Sequence, residues 1–355
     1  MKSINTKKIK VAVGVSGGVD SSVAAYLLKE QGYDVVGIYL QCWDKKTDGC
    51  SSDEDRSFAI SVCSKLGIEF NHLNYVAQYK KRVIDYFYNS YEKGLTPNPD
   101  ILCNSEIKFG LFLNWVLNNG FDYLATGHYT RVKKSKENEY SLLKGIDPDK
   151  GQSYFLYRLN QHQLSKVMFP IGDLTKKQVR KIAEDIDLPT YNRPDSQGIC
   201  FIGEVDIKKF LQKRLKIKKG KVLFTNGEEV GEHDGVWFYT IGQRHGFKVN
   251  KYFGLPLYVV SKNASNNTIV VGYASDVLKD EFCVTDASWV NKKIDNKAKV
   301  DVRIRHLGDL FPGTVTFKKN DTYKVVLTEK PFGVAPGQSA VFYKGEEVLG
   351  GGIIL

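Results

Sequence analysis

Val11-Ala12-Val13-Gly14-Val15-Ser16-Gly17-Gly18-Val19-Asp20-Ser21-Ser22-Val23 runs from a continuous apolar string through a glycine-rich turn into an amphipathic segment. The string predicts a buried strand over 10–15 and the segment a helix over 20–31. Gly17 and Gly18 can take positive φ and let backbone approach a ligand, and free N–H groups at a helix start favour an anion. The turn therefore reads as a phosphate cradle. It lacks the lysine of G-x-x-x-x-G-K-[ST], and Gly14 and Gly17 are spaced wrongly for G-x-G-x-x-G. Ser16, Ser21 and Ser22 add hydroxyls. Asp20 in an anion site would repel phosphate unless a divalent cation lay between them, which points to Mg²⁺ and a nucleotide. The plain alternative is a strand-turn-helix corner with a Ser/Asp cap.

Outward from this loop, strands are expected over 35–41, 69–75 and 121–126 and helices over 53–66 and 111–117, with an irregular stretch at 44–52. Alternating strands and helices give an α/β, doubly wound parallel sheet. From about Lys221 the pattern changes to short β runs. Asn226-Gly227 and Asn266-Asn267 follow strand-like segments and mark hairpins. Further strands are expected over 300–305, 313–317, 323–327 and 339–343, suggesting a small barrel or sandwich. The basic stretch 208–221 reads as a connector. The expected division is 1–205, 206–275 and 276–355.

The chain has 355 residues and a net charge of +11, from 51 Lys+Arg against 40 Asp+Glu. At roughly 100–200 residues per domain this is two or three domains. A 42% hydrophobic content with 20 Tyr and 19 Phe argues against extensive disorder. No window approaches the roughly 20 apolar residues of a membrane helix, and the first ten residues lack a signal-peptide core, so a cytoplasmic protein without membrane association is expected. The positive charge suits a polyanion, or simply a solvated lysine-rich surface.

Six cysteines, Cys42, Cys50, Cys63, Cys103, Cys200 and Cys283, are too few for a disulfide scaffold, and no C-x-x-C pair suggests zinc. Cys63 falls in a helical apolar pattern and reads as core. Cys103 follows Thr96-Pro97-Asn98-Pro99-Asp100-Ile101-Leu102, and Cys200 follows Asp195-Ser196-Gln197-Gly198-Ile199. Such turn-forming polar segments can expose a thiol and stabilise its thiolate through backbone N–H groups.

Ser16-Gly17-Gly18-Val19-Asp20-Ser21 resembles the fingerprint of the PP-loop ATP pyrophosphatases, which have an adenine nucleotide alpha hydrolase-like fold and adenylate a substrate oxygen. The two cysteine segments, together with 125–129, 150–156, 231–235, 239–244 and 334–343, resemble the tRNA-specific 2-thiouridylases over nearly the whole chain. The resemblance implies a PP-loop domain, a small central β-containing domain and a C-terminal β-barrel. It implies ATP-dependent 2-thiolation of the wobble uridine of tRNA, with AMP and pyrophosphate released, and a monomer served by a persulfide-carrying sulfur donor protein. The chemistry suits the residues: a carbonyl oxygen leaves only once adenylated, and a persulfide sulfur is released by a second thiolate.

By the same resemblance Cys200 carries the persulfide and Cys103 is the companion nucleophile, the two meeting within disulfide reach at some stage. Gly14, Val15, Ser16, Gly17, Gly18, Val19, Asp20 and Ser21 bind ATP phosphates, with Asp20 toward Mg²⁺, and Leu40 and Gly127 border the adenosine. Asn98, Pro99 and Asp100 meet the target base. Lys150, Gly151, Gln152, His128, Arg305, His306 and Gln338 contact tRNA, although the family has Arg-Tyr where this chain has Arg305-His306. Blander roles stay open: Asp100 capping a helix, His128 satisfied at a strand end, Gln338 bracing the Pro336-Gly337 turn. Two other functions also stay open, a PP-loop ligase or amidotransferase acting on a small molecule and a nucleotide-regulated RNA-binding module with idle thiols.

Overall fold

Lys10–Gly14 (β1), Asp34–Gln41 (β2), Glu69–Asn74 (β3), Tyr123–Ala125 (β4) and Val167–Met168 (β7) form a parallel sheet in the order β3-β2-β1-β4-β7. The molecule is seen in a computed structural model that describes residues 8–44, 52–195, 198–203 and 205–355. The chain divides into two units, one of Met1–Arg82, Asp100–Glu204 and Glu346–Val348, the other of Val83–Pro99, Val205–Gly345 and Leu349–Leu355.

In the first unit Val11, Ala12 and Val13 are wholly buried, as a strand covered on both faces requires. Val19–Glu30 (α1) and Ser52–Leu66 (α2) pack on the sheet through Val23, Leu28, Val62 and Cys63. Each such side chain contributes about 1.5–3 kcal/mol when buried. Cys63 lies in this core as expected, and Cys50 lies outside the described residues. The strand order reverses between β1 and β4, whose C-terminal ends release Val15–Gly18 and Thr126–Tyr129 side by side. That is where an open α/β sheet binds ligands.

A helical run begins at Pro99–Leu102, continues as a π-helix over Cys103–Phe112 and ends as Leu113–Asn118 (α3). The Leu113 N–H bonds to the carbonyl of Lys108, five residues back. Gly110 permits this winding, because a Cβ there would lie 2.8 Å from the Ser105 carbonyl oxygen. Thr130–Lys134 (β5) and Tyr140–Lys144 (β6) form an antiparallel hairpin absent from the sequence expectation. Lys176–Asp185 (α4) also went unread; it opens with a capping box between Thr175 and Gln178.

In the second unit, Gly220–Phe224 (β8), Glu229–His233 (β9), Lys248–Val249 (β10), Tyr258–Asn263 (β11) and Thr268–Gly272 (β12) make one sheet, ordered β10-β9-β8-β12-β11. The Asn226-Gly227 and Asn266-Asn267 turns join antiparallel neighbours, as the sequence indicated. Glu281–Trp289 (β13), Lys297–Arg303 (β14), Phe311–Phe317 (β15), Tyr323–Leu327 (β16), Ser339–Lys344 (β17) and Glu347–Ile354 (β18) run in the order β13-β16-β15-β14-β17-β18. Pairing of β13 with β18 closes them into a barrel around Val302, Val315, Tyr323 and Phe342. The 208–221 stretch is more ordered than a connector. Ile207–Gln212 (α5) is capped by Asp206, and Lys208 and Lys219 both pair with Asp234, at 2.6 and 2.9 Å.

Candidate active site: a phosphate loop and a thiol pair

Gly17 sits at φ +77°, and a Cβ on it would fall 2.2 Å from the backbone oxygen of Asp55. Arg193 ties the loop to α2, donating to the Gly17 carbonyl at 2.7 Å and pairing with Asp55 Oδ1 at 2.6 Å. Gly18 is the N-cap of α1, so the first N–H groups of that helix lack intrahelical acceptors and face the loop's concavity. Ser21 and Ser22 donate their hydroxyls to the Gly18 carbonyl at 3.1 and 2.9 Å, and the Ser16 N–H bonds to Ser21 Oγ at 3.1 Å. These hydroxyls brace the turn, a use the sequence reading did not assign them.

Asp20 is already neutralised from within the chain. Its Oδ1 accepts from the Tyr129 hydroxyl at 2.7 Å and pairs with Lys176 Nζ at 2.7 Å. The repulsion from which a divalent cation was read off the sequence is thus met by a lysine 156 positions away. Gly127 borders this corner: a Cβ there would lie 2.7 Å from Asp20 C and Ser21 N. Val15 extends β1 by donating its N–H to the Ile38 carbonyl, and Leu40 is buried near the end of β2. Gln152 clamps Tyr129, accepting its N–H at Oε1 and donating its own N–H to its carbonyl, both at 3.0 Å. Gly151 is buried.

Lys176 also reaches Asp195 at 2.8 Å, and Lys150 and Arg180 join it there at 2.7 and 2.6 Å. Burial pushes the Asp195 carboxyl up, but the Lys150 and Lys176 hydrogen bonds and charges outweigh it and bring it down to about 2. A depressed carboxyl stabilises the fold above its unfolded value of roughly 3.9, and that contribution fades as pH falls toward the folded value. Asp195→Asn is therefore expected to cost roughly 1–2 kcal/mol at neutral pH, after allowance for solvent screening. Melting curves of the two proteins should converge as pH falls from 4 toward about 2. A gap independent of pH would count against this network.

Cys103 and Cys200 meet, Sγ to Sγ, at 3.2 Å as free thiols, Cys103 donating to Cys200. Cys103 opens the π-segment and is buried, contrary to the expectation of an exposed turn thiol. Cys200 sits in a tight loop closed by Ile199 and Gly203, which exchange N–H to carbonyl bonds at 3.0 and 2.8 Å. Phe201 takes φ +65°, an outlier for a bulky residue. Asp100 Oδ1 accepts the Cys200 N–H at 2.9 Å, and the Tyr79 hydroxyl donates to the Cys200 carbonyl at 2.6 Å. Asp100 therefore fixes the cysteine loop. The Cys200 N–H being used this way, thiolate stabilisation comes from other groups.

The Cys103 hydrogen bond lowers the Cys200 thiol, burial opposes it, and Lys108 lowers it further. Burial pushes Cys103 well up, so Cys103 is the proton donor of the pair and Cys200 the acceptor. Lys108 Nζ stands 3.4 Å from His128 Nε2 and 5.7 Å from the centre of the Phe201 ring. His128 is buried, its Nδ1 lies 2.7 Å from Thr126 Oγ1, and burial followed by Lys108 holds it well below the usual histidine range. Consecutive residues thus touch two centres, Gly127 the phosphate loop and His128 the thiol pair through Lys108. The sequence reading named His128 for tRNA and missed Lys108, Tyr79, Lys176 and Arg193.

In the second unit, Gln338 Nε2 donates to the carbonyls of Thr96 and Pro97 at 2.9 and 3.4 Å, so it steadies the chain entering Asn98 and Pro99. Arg305 is exposed. His306 is half-buried, and burial and then Arg303 bring it down to about 4, which leaves it neutral at physiological pH.

Three families match in series, described as tRNA methyl transferase HUP domain over residues 9–204, tRNA methyl transferase PRC-barrel domain over 208–273 and Aminomethyltransferase beta-barrel domain over 279–354. The tRNA-specific 2-thiouridylases MnmA of Staphylococcus epidermidis and Staphylococcus saprophyticus are each 43% identical to this chain, across 99% of it and 96% of the relative. That of Staphylococcus haemolyticus is 43% identical over the same shares. The domain descriptions speak of methyl transfer and the full-length relatives of thiolation, and the thiol pair sides with the relatives. Matched from end to end by proteins of one name, the chain belongs to the tRNA-specific 2-thiouridylases.

Proposed function

We propose that this tRNA sulfurtransferase adenylates O2 of the wobble uracil with ATP and replaces that oxygen by sulfur carried as a persulfide on Cys200. The contact between Cys103 and Cys200 carries the reading, because a persulfide is discharged by a thiolate that can reach its inner sulfur. The phosphate loop binds the triphosphate through Gly14–Ser21, beside Leu40 and Gly127. The target base enters past Asn98, Pro99 and Asp100. Lys150, Gly151 and Gln152, with Arg305, His306 and Gln338, serve the tRNA, Gln152 and Gln338 by holding neighbouring backbone in place. His128 serves it indirectly, through Lys108. The working division is 1–205 for catalysis, 206–275 as the central domain and 276–355 as the tRNA-contacting barrel.

Loading moves the terminal sulfur of a donor persulfide to the Cys200 thiolate, with the electron pair of the broken S–S bond left on the donor thiolate. In discharge the terminal sulfur attacks C2 and AMP departs with the former O2; Cys103 then loses its proton to solvent and attacks Cys200 Sγ, forming the Cys103–Cys200 disulfide as the persulfide S–S bond breaks and leaves its outer sulfur on C2. Each turnover then needs two electrons from an external thiol reductant. Among the described residues no cluster of three or more His, Cys, Asp or Glu could hold a metal. Asp20 can offer Oδ2, its Oδ1 being engaged, which fits an Mg²⁺ carried in on the nucleotide with one protein carboxylate. Such an ion supplies charge neutralisation at the phosphates.

The test is to incubate the protein with unmodified tRNA, ATP, Mg²⁺, a persulfide source and a thiol reductant, then digest the RNA. One 2-thiouridine per AMP and per pyrophosphate is expected. AMP and pyrophosphate without a thiolated nucleoside would return the chain to the adenylating ligases, and neither product would return it to the RNA-binding modules.

A further inference from the structure

We infer that Lys108 is the group that keeps the Cys200 sulfur anionic through the cycle, and that neutral His128 and the π-helical winding of Cys103–Phe112 aim its ammonium at that sulfur. The inference deepens the persulfide reading and rests on it. Cys103 and Lys108 are five positions apart. On an α-helix that spacing puts two side chains about 140° apart around the axis. In a π-helix, whose hydrogen bonds run from i to i+5, residue i+5 comes round above residue i. The segment thus sets the ammonium on the same face as the thiol that opens it.

His128 completes the aim. Its imidazole is buried between Phe109 and Phe169, with ring centroids at 5.8 and 6.0 Å, so it cannot swing. With Nδ1–H given to Thr126 Oγ1, Nε2 is left to accept from Lys108. A second cation at this position would repel the ammonium, and burial keeps the imidazole neutral. The ammonium lies over the ring of Phe201, the residue after Cys200, at 5.7 Å from its centre, and Cys103, whose Sγ is 3.2 Å from that of Cys200, opens the same helical segment. Burial alone would lower Lys108, but Cys200, Cys103 and Asp100 together hold it above its ordinary value. Among the described residues, the groups that face the thiol pair are Asp100 and Lys108 from the helical run, Cys42 from beyond β2, Tyr79, and His128 from beyond β4. Lys108 is the cation among these, and Cys42 and Tyr79 are held protonated by burial.

Lys108 acts at two moments. As thiolate, Cys200 attacks the outer sulfur of a donor persulfide; a new S–S bond forms, the donor S–S bond breaks, and the donor leaves as thiolate. As persulfide anion, the charge moves one atom outward onto the sulfur that will attack C2, still beside the ammonium. No proton is consumed between the two.

The experiment is alkylation of the full-length reduced protein by iodoacetamide across pH, with Cys200 followed by peptide mass spectrometry, and neither tRNA nor ATP present. Wild-type Cys200 is expected to react with a midpoint below the ordinary thiol range. Lys108→Met should move that midpoint up by a unit or more, slowing alkylation at neutral pH roughly tenfold, while Lys108→Arg restores most of it. An unchanged midpoint in a folded Lys108→Met protein overturns the inference. So does wild-type Cys200 that reacts only above the ordinary range, a result needing no variant to fold. The readout involves no thiolation, so a Cys200 midpoint that is lowered and depends on Lys108, found without 2-thiouridine formation, would sink the proposed function and leave Lys108 in place.

Discussion

Cys200→Ser should form no 2-thiouridine, a loss of roughly a thousandfold or more as for other covalent nucleophiles, while still releasing pyrophosphate once per bound tRNA. Pyrophosphate leaves when the base is adenylated, which needs the phosphate loop and no thiol. AMP then stays on the base because nothing displaces it. Cys103→Ser should lose product to a similar extent for a different reason. Its Cys200 remains, so persulfide loads and accumulates, without the neighbour at 3.2 Å that discharges it. The two variants are separated by labelling with a ³⁵S persulfide donor followed by non-reducing gel electrophoresis: Cys103→Ser is radioactive and Cys200→Ser is not. Label on the Cys200→Ser protein would reverse the roles, and a tenth of wild-type thiolation in either variant would remove both from the chemistry.

Gly17→Ala is the second large effect expected. An alanine at φ +77° pays backbone strain of about 1–3 kcal/mol, and its Cβ would stand 2.2 Å from the Asp55 carbonyl oxygen. That oxygen cannot easily withdraw, since Arg193 ties Asp55 and Gly17 together. The loop must move, and displacement of a positioning element by about 1 Å costs on the order of a hundredfold in rate. Gly32→Ala is the control: it has a comparable φ of +86° with nothing within 4 Å of a Cβ. It should lose a little melting temperature and keep its rate of tRNA-dependent pyrophosphate release. If both variants retain that rate, the loop is not the nucleotide site.

What could be read in advance follows from how locally each feature is encoded. Strands β1 and β2 are unbroken apolar strings, and the phosphate loop is contiguous, so both were legible within 10–41. Strands β13 and β18 were not. β13 carries an irregularity between Thr285 and Ser288, with Asp286 at φ +49°, and β18 contains Gly350, Gly351 and Gly352, which weaken any strand pattern. The β5–β6 hairpin turns through charged residues near Asn138 that read as loop. Both cysteines could be singled out from their turn-rich surroundings, although those surroundings gave the wrong exposure for Cys103. The supports were invisible because their partners are distant in the chain: Arg193 reaches Gly17 across 176 positions and Lys176 reaches Asp20 across 156. Lys108 escaped because the five-residue spacing that brings it over Cys103 matches no ordinary helical period.

A π-wound stretch is spatially an α-helix that has taken in one extra residue without losing its face. A homologous chain lacking one letter between the cysteine and the lysine, and wound as an ordinary helix, would present the same two groups together at a spacing of four. Column-by-column comparison would report the lysine as missing from such a chain, when only the count between the two residues had changed. Equivalence at this position should be judged by superposing atoms, and a single-residue gap in the stretch is silent in three dimensions.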